Sequence, residues 1–176
     1  MSTRRHAAMP RTEAQLVDSL GMLLARQWPV RAVGTEVRSH GRCRTDLCAL
    51  ISQGARGPDQ LLIGIEAKLT DWARAVGQAA LNRYAVDLAY VAMPAGRTPE
   101  ALWLEAARHG VGVFAVGRRS LEIVLAAGLS KPDSTLRARI ASQLRPVRPR
   151  GKTAFSDLVL HPVALRSEPV VVAGAA

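Results

Sequence analysis

The chain has 176 residues, 24 Lys+Arg against 14 Asp+Glu and a formal charge of +10. That length is the range of one domain, and 48% hydrophobic residues can build a core, which excludes wholesale disorder. No run reaches the ~18 consecutive apolar residues of a membrane span, and two cysteines cannot make a disulfide framework.

The elements follow in chain order. The opening MSTRRHAAMP carries charge without an apolar segment, which is not the pattern of a secretory signal. Thr12 and Gln15 form a capping box for a first helix, with Leu16, Val17, Leu20, Leu23, Leu24 and Trp28 at helical spacing and Pro29 at its end. Residues 30–38 and 43–51 read as two strands of a hairpin turning at 39–42. A Gly/Pro loop covers 52–60, and 61–69 (LLIGIEAKL) is a third strand. Thr70 or Asp71 caps a second helix to about Val86. Residues 88–93 are a strand ended by Pro94. Thr98 opens a third helix, stopped by Gly110, and strands follow at 111–116 and 121–125. A short basic helix fits 134–144, and the Pro/Gly-broken tail beyond it reads as weakly ordered. The order predicts an α/β fold: a mixed sheet with helices on both faces. The expected division is a basic arm over 1–11, a domain over 12–128 and a basic helix plus tail over 129–176.

Charge is uneven along the chain. Residues 13–133 hold 14 basic and 12 acidic groups, so the excess lies in the flanks, among them Arg4, Arg5, Arg11, Arg137, Arg139, Arg145, Arg148, Arg150 and Lys152. Such flanks suit a polyanion, although a solubilising tail in an Arg-rich composition has the same signature. Of the 24 basic residues only Lys68, Lys131 and Lys152 are lysine. Lys68 stands inside an apolar run, where a retained ammonium suggests a task arginine cannot perform. Cys43 and Cys48, five apart, fall on opposite faces of a strand, and a reducing cytoplasm is the expected compartment.

The third strand alternates sharply. Leu61, Ile63, Ile65, Ala67 and Leu69 share an apolar face; Gly64, Glu66, Lys68 and Thr70 share the other. On the second strand Asp46 shares a face with Arg44, Cys48 and Leu50. If the strands are neighbours, Asp46 and Glu66 converge, and two carboxylates there resist ionising unless a cation joins them. Mg²⁺ takes hard oxygen ligands of this kind, with the Ala67 carbonyl as a further donor and Mn²⁺ as a substitute. Lys68 would then orient or deprotonate a water, or neutralise a phosphoryl transition state. The plain alternative is an exposed Glu66/Lys68 pair on a solvated sheet face.

Asp46 after Thr45, Glu66-Ala67-Lys68 and the αβββαβ order together resemble the PD-(D/E)XK nuclease superfamily, over about residues 12–125. The resemblance implies a restriction-endonuclease-like fold, with Asp46 and Glu66 as metal ligands and Lys68 as catalytic lysine. It also matches Gln78 to a helix glutamine that faces the site in several branches. Thr45 departs from the proline usual before the first aspartate. Several branches also use a first-helix glutamate. Glu13 points along the apolar stripe toward the sheet and is the candidate; a first-turn carboxylate favouring the helix dipole is the other reading. Glu36 ranks below it, because a two-residue turn at His40-Gly41 puts Glu36 opposite in face to Asp46, whereas a three-residue turn reverses that.

Arg38, Arg42 and Arg44 surround the hairpin and are expected phosphate contacts, with Arg74, Arg137 and Arg139. Arg83 and Tyr84 are further candidates. No Walker-type loop is present, which argues against a nucleotide cofactor. The expectation is a Mg²⁺-dependent deoxyribonuclease of repair, recombination, restriction or mobile-element biology, acting on DNA. The alternatives are a DNA-binding or scaffold subunit with a nuclease-like fold, and an RNA-acting nuclease. Double-strand cutting by a one-site enzyme calls for a homodimer, of which no interface is legible.

Overall fold

The computed structural model describes residues 10–39, 43–52, 60–151 and 158. Among the described residues four helices flank one seven-stranded mixed sheet. Helix α1 (Glu13–Gln27) leads into strands β1 (Val30–Arg38), β2 (Arg44–Ser52) and β3 (Gln60–Ala67). Then come α2 (Trp72–Asn82), β4 (Leu88–Pro94), α3 (Glu100–Arg108), β5 (Gly112–Val116) and β6 (Leu121–Leu125), followed by α4 (Ser134–Ala141) and β7 (Arg145–Pro146). The sheet order is β6-β5-β4-β3-β2-β1-β7. β2 runs antiparallel to both β1 and β3; β3, β4 and β5 run parallel; β6 and β7 return antiparallel at the two edges.

Local chemistry sets the helix starts. The Thr12 hydroxyl accepts from the Gln15 N–H at 3.2 Å, and the Gln15 side chain reaches back to the Arg11 N–H at 2.9 Å. Asp71, not Thr70, caps α2, accepting from the Arg74 N–H. The expectation that Thr98 caps α3 is corrected: Pro99 holds that position and offers no side-chain bond. Gly110 ends α3 with φ +62°, a conformation an L side chain rarely adopts.

The alternation of β3 sorts the two core layers. Ile63, Ile65 and Ala67 pack with Leu16, Leu20, Leu24 and Trp28 of the α1 side, where Tyr90 stacks on Phe114 at 4.1 Å. Cys48, Leu62 and Val91 face the other way, onto Ala75, Val76 and Ala79 of α2, Leu102 and Ala106 of α3, and Ile140 of α4. Gly64 fits beneath this second layer because a Cβ there would lie 3.1 Å from Val86 Cγ1.

The expected boundary at 128 does not divide the packing. Ile140 and Leu144 are buried in the second layer, and β7 adds to the sheet beside β1. The Gln143 amide brackets both backbone groups of Arg38, satisfying the open edge of β1. Leu158 is buried and its carbonyl accepts from the Tyr90 hydroxyl. Residues 1–9 of the expected basic arm, and the tail apart from Leu158 beyond 151, lie outside the described residues.

Arg137 is part of the same attachment. Its guanidinium bonds the Asp87 carboxylate at 2.8–3.1 Å and the Gln60 carbonyl at 2.8 Å, while Asp87 accepts the Leu62 N–H. Asp87 is buried, so removing its cation leaves a carboxylate with one backbone donor. Arg137→Ala is expected to lower stability by about 1–3 kcal/mol. Urea unfolding checks this; an unchanged midpoint contradicts it.

Candidate functional site

The β2–β3 register pairs Leu47 with Ile65, and one further step sets Asp46 opposite Glu66. The two carboxylates thus meet where the ladder ends. The bond closing that end is made by a side chain: Asp46 Oδ2 accepts the Ala67 N–H at 2.8 Å. Just beyond β3, the Lys68 N–H donates to the Ala92 carbonyl of β4 at 3.1 Å, fixing where its side chain departs. The Lys68 ammonium lies 3.5 Å from Asp46 Oδ2 and 3.1 Å from Glu13 Oε2. Lys68 therefore ties α1, on one face of the sheet, to Asp46 of β2.

Glu66 is 1% exposed, which rules out the solvated-pair reading of Glu66 and Lys68. α2 covers it, and Asn82 Nδ2 donates to Glu66 Oε1 at 2.6 Å. Burial first, then the Asp46 charge, push the Glu66 carboxyl up to about 8, against the Asn82 bond and the Lys68 charge. For Lys68 burial works the other way and would lower the ammonium, but Asp46, Glu13 and Glu66 together outweigh it and raise it. Lys68 is accordingly held as a cation.

Asp46, Glu66, Ala67, Lys68 and Glu13 come together. Gln78 stands one turn before Asn82 on α2, and its Oε1 is buried without a hydrogen-bond partner. Asn82 is the contact that sequence reasoning did not assign; it belongs to the stripe 71, 74, 78, 82, and its step of four from Gln78 was the available signal.

The register decides the face of Glu36, which the turn length had left open. The β1–β2 register pairs Thr35 with Leu47 and Val37 with Thr45, so Glu36 falls opposite Asp46, the outcome of the longer turn. Its φ of +51° marks a local distortion of β1. Glu36, Glu13, Asp18 and Asp46 line a cleft of about 220 Å³ between α1 and the hairpin.

The arginines divide. Arg38, Arg74 and Arg139 are exposed, and Arg44 is exposed with Glu36 3.8 Å away, a pair worth little in water. Arg42 lies outside the described residues. Arg137 is an internal clamp, its Nε and Nη2 held by Asp87 and Gln60. Arg83 is similarly engaged, with the His109 and Leu129 carbonyls. Cys43 is exposed, Cys48 is buried, and both are free thiols.

The donor set suits a hard cation. Asp46 Oδ1 and Glu66 Oε2 carry no hydrogen bond among the described residues, so each carboxylate keeps one free oxygen. Among the described residues no group of three or more His, Cys, Asp or Glu is arranged to hold a metal. Two carboxylates leave most of a coordination sphere to water and substrate oxygens, which is how Mg²⁺ is commonly held, rather than in a closed protein cage. Gln78 Oε1, buried and without a partner, is an acceptor still open to a water.

Neither protein-family models nor curated proteins give a match to the chain. Among solved structures it is similar to a protein of unknown function from Silicibacter pomeroyi. The TM-score is 0.55 at 18% identity, over 75% of this chain and 83% of that one. At that identity the likeness shows a shared fold. Among the described residues no helix is long and apolar enough to cross a membrane.

Proposed function

We propose that the chain is a divalent-cation-dependent nuclease that hydrolyses phosphodiester bonds of DNA. The observation that carries this reading is the Lys68 ammonium, 3.5 Å from Asp46 and 3.1 Å from Glu13, at the strand end where Asp46 meets the buried Glu66. The Asp46, Glu66-Ala67-Lys68 pattern and the αβββαβ order support it through their resemblance to the PD-(D/E)XK nucleases.

Asp46 and Glu66 would hold Mg²⁺ or Mn²⁺ by their free oxygens, with the Ala67 carbonyl as a further donor. The cation, when bound, acidifies a water ligand and neutralises charge on phosphate oxygens. The chain's own residues prepare the rest. Asn82 fixes the Glu66 carboxylate through Oε1. Gln78 offers an unpaired acceptor that orients water. Lys68 brings a positive charge to the attacked phosphate, where pentacovalent charge develops. Glu13 holds the Lys68 side chain in place. Arg38, Arg44, Arg74 and Arg139 are exposed cations for the nucleic-acid backbone, contacts that position without reading sequence.

Calorimetric titration with Mn²⁺ is expected to show one site in the parent and none in Asp46→Asn. No uptake by the parent, with salt-sensitive DNA binding retained, would instead favour a non-catalytic DNA-binding subunit.

A further inference from the structure

A second concavity adjoins the site and is absorbed by none of the roles above. The chain leaving Lys68 forms one wall with Leu69, Thr70 and Trp72, and the β4–α3 connection forms the other with Met93, Arg97 and Pro99. The open groove between them is about 600 Å³. It begins one residue past Lys68, and Met93 follows Ala92, whose carbonyl anchors the Lys68 backbone. The groove and the lysine therefore share a rigid frame.

Its chemistry is specific. The lining contains one aromatic ring, Trp72, three further apolar side chains, two threonines and Arg97, and no acid. Arg97 sits on a tight turn: its N–H donates to the Pro94 carbonyl at 3.0 Å, and Gly96 takes φ +81°, which a Cβ would disfavour. The turn fixes the backbone of Arg97, an exposed residue of the groove lining. An aromatic face with a cation at its rim suits a planar base joined to a phosphate. The volume is that of a small-ligand cleft. A base paired within a duplex is stacked on both faces and cannot enter such a recess; an unpaired nucleotide can.

We propose that this groove receives one unstacked nucleotide of single-stranded DNA beside the scissile phosphate, with the base against Trp72 and its phosphate on Arg97. The assignment rests on the nuclease reading for its neighbouring phosphate and gives that site a substrate class, single-stranded or frayed ends.

The test is direct binding in chelator, where no cleavage occurs. The probe is a short single-stranded DNA carrying 2-aminopurine, compared with the same sequence as blunt duplex at one salt concentration. The full-length protein is expected to bind the single strand at least about tenfold more tightly, with a change in 2-aminopurine fluorescence. Trp72→Ala is expected to abolish the fluorescence change and the preference. Because Trp72 also packs on the second core layer, Arg97→Glu, an exposed turn position, serves as the second variant and is expected to weaken single-strand binding about tenfold or more. Equal binding of both DNAs by the parent, or a preference unchanged in both variants, overturns the assignment. Lys68→Ala should keep the preference. A Trp72-dependent preference without metal-dependent cleavage would leave the groove standing and sink the chemistry. Cleavage of duplex without single-strand preference would do the reverse.

Discussion

Lys68→Ala is expected to reduce phosphodiester cleavage by about 10²–10³-fold or more, while thermal stability and DNA affinity change little. Lys68 lies at the strand end, not in either core layer, and its ion pairs with Glu13 and Asp46 are partly open to water. Removing it therefore costs little packing. What it removes is the positive charge held beside two carboxylates, the place where a phosphoryl transition state needs neutralising. Lys68→Arg is expected to recover little of the rate. A planar guanidinium spreads its charge and is wider than the ammonium that fits between Asp46 and Glu13. Single-turnover cleavage measured beside a thermal melt separates this from misfolding. A variant that melts like the parent and cuts like the parent would remove Lys68 from the chemistry.

The second large effect concerns Glu66. Its carboxyl, pushed up to about 8 by burial and by Asp46, takes up a proton on folding at any pH between its ordinary value near 4.5 and 8. The folded state is the one that binds the proton more tightly. Glu66 therefore lends stability in full below pH 4.5, and that stability is lost as pH rises through 8. One unit of displacement is worth about 1.4 kcal/mol, so the loss between pH 5 and pH 8 is about 3 kcal/mol, roughly 6–12 °C in melting temperature for a chain of this size.

Glu66→Gln keeps the shape, and its amide oxygen can still accept from Asn82, but it has no charge to bury. In chelator the parent-minus-variant difference in stability is expected to favour the parent at pH 5 relative to pH 8. Added Mg²⁺ is expected to raise the parent's stability at pH 8 and to leave Glu66→Gln unmoved, because the cation compensates the ionised carboxylate that the variant lacks. A difference curve flat across pH 5–8 would mean that Glu66 is not the buried, charge-crowded acid described. The same variant is expected to lose cleavage as fully as Lys68→Ala.

Much of this was legible in the sequence because it rests on local rules. Period-two alternation in 61–69 named both faces of β3, and the buried sets on its two sides follow that division. Thr12 with Gln15 marked the start of α1, and Gly110 marked the end of α3. The meeting of Asp46 and Glu66 followed from two strands being neighbours, without side-chain detail.

What was not legible depends on contacts far apart in the chain. Glu36 turned on a single residue of hairpin length, and a one-residue slip moves a side chain to the other face. Arg137 looked like any cation of a basic flank until Asp87, fifty residues earlier, was placed against it. The strand pairing of Arg145-Pro146 has no alternation to announce it, since two residues cannot show a period. Asn82 shared the helical step of Gln78, but its bond to Glu66 depends on how α2 crosses β3.

The most direct measurement is a cleavage panel of labelled single-stranded, duplex, flapped and four-way DNA, with Mg²⁺ and with chelator, for the parent and Lys68→Ala. The parent is expected to cut with Mg²⁺, most strongly where a single strand is available, and to lose cutting in chelator or on Lys68→Ala. No cutting of any DNA in the panel with Mg²⁺ or Mn²⁺, or equal rates for parent and Lys68→Ala, would contradict the nuclease reading.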